Sequence, residues 1–192
     1  MTGNYEPEKG KRYPVDEFQK VFEVGDIHIA RMYITACGLY ETKINGKKIG
    51  NQVLMPGCTS YDKRVQYQTY DITEVMKSGK NTWEISLGDG WFRGKLGVFG
   101  ATNVFGSITS VLGQIEITKI DGSRKTITTD GEFAWCNDGP IRFNDMKDGE
   151  IVDASMVPSY DKKAITTSWD ATVSAFDNVP VLEHESFNPE VL

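Results

Sequence analysis

Histidine is nearly missing from this 192-residue chain, and cysteine is scarce. His28 and His184 are the only imidazoles, and Cys37, Cys58 and Cys136 are an odd, widely spaced set without a Cys-x-x-Cys pair. A zinc site built from close cysteine pairs and histidines is therefore not encoded, and the local sequence gives no support to cysteine–histidine nucleophilic catalysis. Three unpaired thiols fit a reducing compartment. Positive charge is also in short supply: 21 Lys and Arg stand against 27 Asp and Glu, for a net charge of -6. That balance argues against a nucleic-acid partner, because phosphate binding needs clustered cations. No apolar run approaches the roughly 20 residues that span a bilayer, so no membrane partner is expected. The opening MTGNYEPEKGKRYPVDEF has no apolar stretch and does not read as a signal peptide, which with the free thiols favours the cytoplasm.

Helical periodicity is equally thin. Thr73–Gly79 offers about one turn, capped by Asp71 or Thr73 and stopped by Gly79. What is present instead is period-two alternation. Ala30, Met32, Ile34 and Ala36 alternate with Arg31, Tyr33 and Thr35, and Tyr40, Thr42 and Ile44 continue the pattern. Trp83, Ile85 and Leu87 alternate with Glu84 and Ser86, and Ile115 and Ile117 with Glu116 and Thr118; all these apolar residues are expected to face inward. Asn45-Gly46 and Asp121-Gly122 are hairpin turns, the latter returning through Ile127. Many short strands with Gly-rich turns point to an all-β antiparallel sandwich. Residues 1–17 are polar, contain Pro7 and Pro14, and read as an arm or lead-in rather than core.

One segment breaks the pattern. Seven of the 19 glycines fall between Gly88 and Gly113, beside Trp91, Phe92, Phe99 and Phe105. A long aromatic loop on a sandwich is a usual place for function. Trp91 either stacks on the apolar face of a sugar or packs under its own loop. Asp89 and Arg93 bracket it, and can hold sugar hydroxyls, pair with each other or, for Asp89, bind calcium. Asn103, Asn137, Asp138, Asn144 and Asp145 supply further oxygens. No Asp-x-Asp-x-Asp-Gly loop is present, so calcium stays a weak option and the metal ligands unknown.

Several ordered segments resemble the N-terminal domain of bacterial α-L-rhamnosidases: YETKINGKKIGN at 40–51, MPGCTSYDKR at 55–64, YQTYDIT at 67–73, LGDGWFRG at 87–94 and DGPIRFNDMKDGE at 138–150. TTSWDATV at 166–173 is similar to the closing strand of that family. The first half, with Gly79-Lys80-Asn81, also resembles the sugar-binding domain of β-galactosidase-type glycosidases. Cys58 departs from the Trp common in the family, and the segment around Met146 and Lys147 lacks its usual Tyr. The resemblance implies a galactose-binding-like jelly roll over residues 18–180, with 181–192 as a link to a following domain. It further implies a non-catalytic accessory domain of an α-L-rhamnosidase, whose carboxylates lie in a separate (α/α)6 barrel. Such a barrel needs about twelve helices, and the helical pattern for it is lacking here. The implied partners are that catalytic domain and a carbohydrate, rhamnose or a rhamnosylated glycoside; the loop's own residues make Asp89, Trp91, Arg93 and Asn103 the candidate contacts for it. The alternative is a purely structural domain that docks on the barrel without binding sugar.

Overall fold

The structure, a computed structural model, describes residues 1–8 and 11–166. Two antiparallel sheets face each other. The larger runs in the order β12 (Lys162–Lys163), β9 (Ala134–Cys136), β1 (Asp16–Val24), β6 (Gly79–Gly88), β3 (Leu39–Ile44) and β4 (Lys47–Lys48). The smaller is ordered β5 (Gln68–Asp71), β2 (Ile27–Cys37), β7 (Ser110–Lys119) and β8 (Arg124–Thr128). A separate hairpin joins β10 (Ile141–Asp145) to β11 (Gly149–Val152). This is the expected jelly-roll β-sandwich.

Alternation places the core where the sequence predicts it. Ala30, Met32, Ile34, Trp83, Ile85, Leu87, Ile115 and Ile117 are all essentially without solvent contact. Side chains on a strand point to opposite faces in turn, so one sheet supplies Trp83, Ile85 and Leu87 and the other answers with Met32, Ile34 and Ile115. Gly113 stands opposite Ile34 in β7, and a Cβ there would lie 3.0 Å from the Trp83 ring. The missing side chain makes room for the indole, whose N–H donates to Thr42 Oγ1 at 2.9 Å. Phe133 meets the same ring edge-on at 5.3 Å.

The turns follow their chemistry. Asn45 and Gly46 take φ of 53° and 77°, the left-handed pair that a two-residue hairpin requires. The Asn45 amide does more than turn the chain: it donates to Val75 O and to Asn81 Oδ1, both at 2.9 Å. Asn81 is fully buried, and it also accepts from Lys77 N and donates to Lys77 O and Gly79 O. Thus the Gly-x-Asn segment satisfies the backbone where the chain enters β6. Thr73–Val75 forms a 3-10 turn rather than an α-helix, with Asp71 Oδ1 accepting from Thr73 N at 2.9 Å.

Residues 1–17, read as an arm or lead-in rather than core, contribute buried side chains. Met1, Tyr13 and Val15 are buried, Thr2 bridges to Ile165, and β1 begins at Asp16. The polar composition misled because few apolar anchors suffice when a strand follows at once. The closing-strand segment after Thr166, with its Trp169, lies outside the described residues, as does the link at 181–192.

Asn81→Ala removes four hydrogen bonds and orphans buried backbone groups, so it is expected to cost about 2–4 kcal/mol of folding stability. Urea denaturation measures it; a loss under about 0.5 kcal/mol would mean that water replaces the amide.

Candidate functional site

The loop between β6 and β7 opens with a single helical turn, Gly90–Arg93, which we call α1. Gly90 has φ 52°, and a Cβ there would meet Leu39 Cγ at 2.6 Å, so the backbone fits only as glycine. One turn brings Asp89 and Arg93 onto the same side. Arg93 Nε donates to Asp89 Oδ1 at 2.8 Å and Nη2 lies 2.6 Å from the same oxygen. Both residues are buried, 7% and 5% exposed. Arg93 Nη1 donates to the Tyr5 hydroxyl at 2.5 Å, and Tyr5 in turn donates to Asp16 Oδ2 at 3.3 Å. Asp16, with no solvent exposure, also accepts from Trp135 Nε1 at 2.9 Å and Thr109 Oγ1 at 3.3 Å. Burial pushes the Asp16 carboxyl up to about 6, against the pull of Arg93 and its hydrogen bonds. Burial likewise raises Asp89, with Arg93 opposing.

The chain Asp16–Tyr5–Arg93–Asp89 therefore ties the N-terminal segment, β1, β9 and the loop together. Of the residues expected to contact carbohydrate, Asp89 and Arg93 point into this network. Trp91 is half-buried. Asn103 takes a left-handed φ of 57° and its N–H donates to Arg93 O at 2.9 Å. Phe92 and Phe105 pack on Tyr61 at 5.3 and 5.0 Å, which fastens this loop to the 55–64 segment.

The other oxygens are used locally. Asp145 accepts from the N–H groups of Lys95, Lys147 and Asp148 at 2.8–3.1 Å. Asp138 Oδ1 accepts from Ser159 N at 3.2 Å, and Asn137 offers its carbonyl to Arg142. The Asn144 amide donates to Glu150 Oε1 at 3.2 Å. Among the described residues no group of three or more His, Cys, Asp or Glu is placed to hold a metal ion. The three cysteines are free; burial raises Cys37 to about 11 and Cys136 to about 12, while Cys58 is exposed.

A cleft on the outer face of the six-stranded sheet was not legible in the sequence. It encloses about 200 Å³ and is lined by Glu17, Glu41, Lys43, Glu84, Ser86, Pro140, Pro158 and Tyr160. Register explains it: Ser86 pairs with Glu17 on one side and Glu41 on the other, and Glu84 pairs with Lys43. Outward positions of three strands thus form two adjacent rows, roofed by a segment more than a hundred residues away from β1. Alternation alone marks these residues as outward but says nothing of which strands adjoin. Ser86 donates to Glu17 Oε2 at 2.7 Å, Gln19 to Glu84 Oε1 at 3.4 Å, and Lys48 pairs with Glu41 at 2.5 Å. Burial lifts Glu17 to about 7, opposed by Ser86 and Lys43 and helped by Asp16 and Glu84.

Comparison with known proteins adds the following. Residues 25–189 match the family described as the α-L-rhamnosidase N-terminal domain. An α-L-rhamnosidase of Formosa agariphila is 38% identical over 139 residues, 72% of this chain and 15% of the relative. One from Streptomyces avermitilis is 38% identical over 157 residues, 79% of this chain and 15% of the relative. The crystal structure of the native α-L-rhamnosidase of Aspergillus terreus superposes with a TM-score of 0.74 at 36% identity, covering 78% of this chain and 17% of that one.

Two outcomes are expected of this geometry. Arg93→Met leaves Asp89 as a lone buried charge and costs about 3–5 kcal/mol, whereas Asp89→Asn with Arg93→Met together costs clearly less than the two singles summed; additive losses in thermal or urea unfolding would show the pair to be uncoupled. Glu17 titrates near 4.5 unfolded and near 7 folded, so the folded state holds the extra proton between those values. Stability therefore falls as pH rises through that window. Glu17→Gln removes this share of the slope and gains roughly 1–3 kcal/mol at pH 8 relative to pH 4. The slope from Asp16, in a window from about 4 to about 6, remains. Parallel pH–stability curves for the two proteins would contradict the burial of Glu17.

Proposed function

The chain belongs to the α-L-rhamnosidase N-terminal domain family, and on that footing we propose that it is the non-catalytic accessory domain of an α-L-rhamnosidase. The observation that carries this reading is one of scale. The family match takes in most of the chain, yet the chain spans only about 15% of the length of the curated relatives it matches. Removal of terminal rhamnose is then the work of the longer protein, and this domain contributes structure to it. The orientation of the loop supports the structural role over sugar recognition. Asp89 and Arg93, the two groups best suited to hold sugar hydroxyls, are spent on each other inside the fold. A bound sugar would have to displace a buried ion pair to reach them, which costs more than its hydroxyl contacts return.

Sugar contact through Trp91 is the second reading, and what favours it is that this residue is only half-buried. Its stacking is worth about 1–2 kcal/mol, or ten- to thirty-fold in affinity. Asn103 would then orient a hydroxyl from its left-handed turn, and the cytoplasm remains the proposed compartment.

One preparation tests both. The 192-residue chain, incubated with an aryl α-L-rhamnoside, is expected to show no turnover, and L-rhamnose is expected to leave its tryptophan fluorescence unchanged. Turnover lost on mutating a carboxylate of this chain would overturn the non-catalytic reading. Saturable quenching abolished by Trp91→Ala would establish sugar recognition instead.

A further inference from the structure

The loop that buries its charges displays its apolar side chains. At its tip, Gly97-Val98-Phe99-Gly100 leaves Val98 92% and Phe99 100% exposed. This is not a loose excursion. Gly97 and Gly100 take φ of 69° and 66°, Gly100 N donates to Gly97 O, and Leu96 N donates to Ala101 O at 2.8 Å beneath the turn. Glycine adopts both angles at no steric cost. Braces from the β10–β11 hairpin fix the stem: Asp145 accepts from Lys95 N at 2.8 Å, Lys95 Nζ pairs with Asp148 at 2.8 Å, and Lys147 Nζ donates to Gly97 O. Below them, the Tyr61–Phe92–Phe105 cluster holds the base.

We propose that this tip is a docking plug: Val98 and Phe99 insert into an apolar socket on another domain of the same, longer polypeptide. The inference rests on the accessory-domain reading and names the contact through which that role is exercised. Three observations favour this occupant. The relatives are six to seven times longer than the part matched here, so most of such a protein lies beside a domain like this one. The tip carries no polar side chain at all, which suits a greasy socket and not a ring of hydroxyls. The lysines nearest it are already engaged by Asp148 and Gly97 O, so it offers no free cationic field to an anionic lipid surface. Holding an aromatic residue rigid in water before docking lowers the entropy lost on contact.

Thiol labelling reads the tip directly. Cys37 and Cys136 are buried and Cys58 is exposed, so Phe99→Cys is made in a Cys58→Ser background. The variant is treated with a maleimide both as the 192-residue chain and within the complete gene product. The thiol is expected to react at least ten-fold more slowly in the complete protein. A second measurement uses Phe99→Asp, expected to lower the thermal midpoint of the complete protein while leaving that of the 192-residue chain unchanged. Equal labelling rates in the two contexts overturn the plug while leaving the accessory-domain reading intact. Protection of the 192-residue chain alone that grows with its concentration assigns the tip to a second copy, and protection by L-rhamnose assigns it to sugar; either overturns the proposal. A complete gene product that stops at Leu192 removes the accessory-domain reading itself, and the plug falls with it.

Discussion

Everything distinctive about this domain depends on burying the Asp16–Tyr5–Arg93–Asp89 chain. Two carboxyls and one guanidinium enclosed among aromatic rings form an unfavourable charge set, and desolvation of each ion costs several kcal/mol. The set is made tolerable in three ways. Arg93 pairs with Asp89 and lies about 5–6 Å from the ring centres of Tyr5 and Tyr13. Asp16 receives N–H and O–H donors from Trp135, Tyr5 and Thr109. Its raised proton affinity then lets the set approach neutrality as pH falls towards 6. In proteins generally, replacing such a set by a well-packed hydrophobic cluster is often neutral or stabilising. What the ions add is directional: Arg93 bonds both Asp89 and Tyr5, and Tyr5 and Trp135 bond Asp16, so the loop is held against the N-terminal segment.

From that anchor the loop's polarity follows. Its charged side chains turn inward or towards the β10–β11 hairpin, while Val98 and Phe99 stand in solvent. A sugar site has the opposite plan, with convergent donors and acceptors backed by an apolar wall. The same sheet that carries the loop holds a polar cleft on its outer face, where Glu17, Ser86 and Glu41 stand in one row. A polar outer face is the ordinary plan of an antiparallel sheet; the apolar loop tip is the unusual feature.

How far the sequence foretold this depends on the range of the interaction concerned. Local features were legible: strand alternation at Ala30/Met32/Ile34 and Trp83/Ile85/Leu87, the left-handed turn at Asn45-Gly46, the Asx turn at Asp71, and the i,i+4 meeting of Asp89 with Arg93. Each needs only a periodicity or a dihedral preference. Contacts between distant strands were not. Nothing local joins Asp16 to Trp135, 119 residues away, or Arg93 to Tyr5, 88 residues away. Polar residues 1–17 read as an arm for the same reason, since Tyr13 and Val15 acquire their burial from strands far along the chain.

Phe99 departs from the rule that large apolar side chains are mostly buried. In the structure Phe92 and Phe105 are the anchors, meeting at Tyr61, while Phe99 is held away from them by a turn whose two glycines fix its direction. Burying a Phe side chain is worth roughly 2–3 kcal/mol, so holding Phe99 in water forgoes a gain of that order. Beneath it the Lys95–Asp148 pair and the Asp145 carboxylate tie the stem to the β10–β11 hairpin. Further back, the buried Asp89–Arg93 pair fixes the foot of the same loop, so the exposed tip sits on a stem held at both levels.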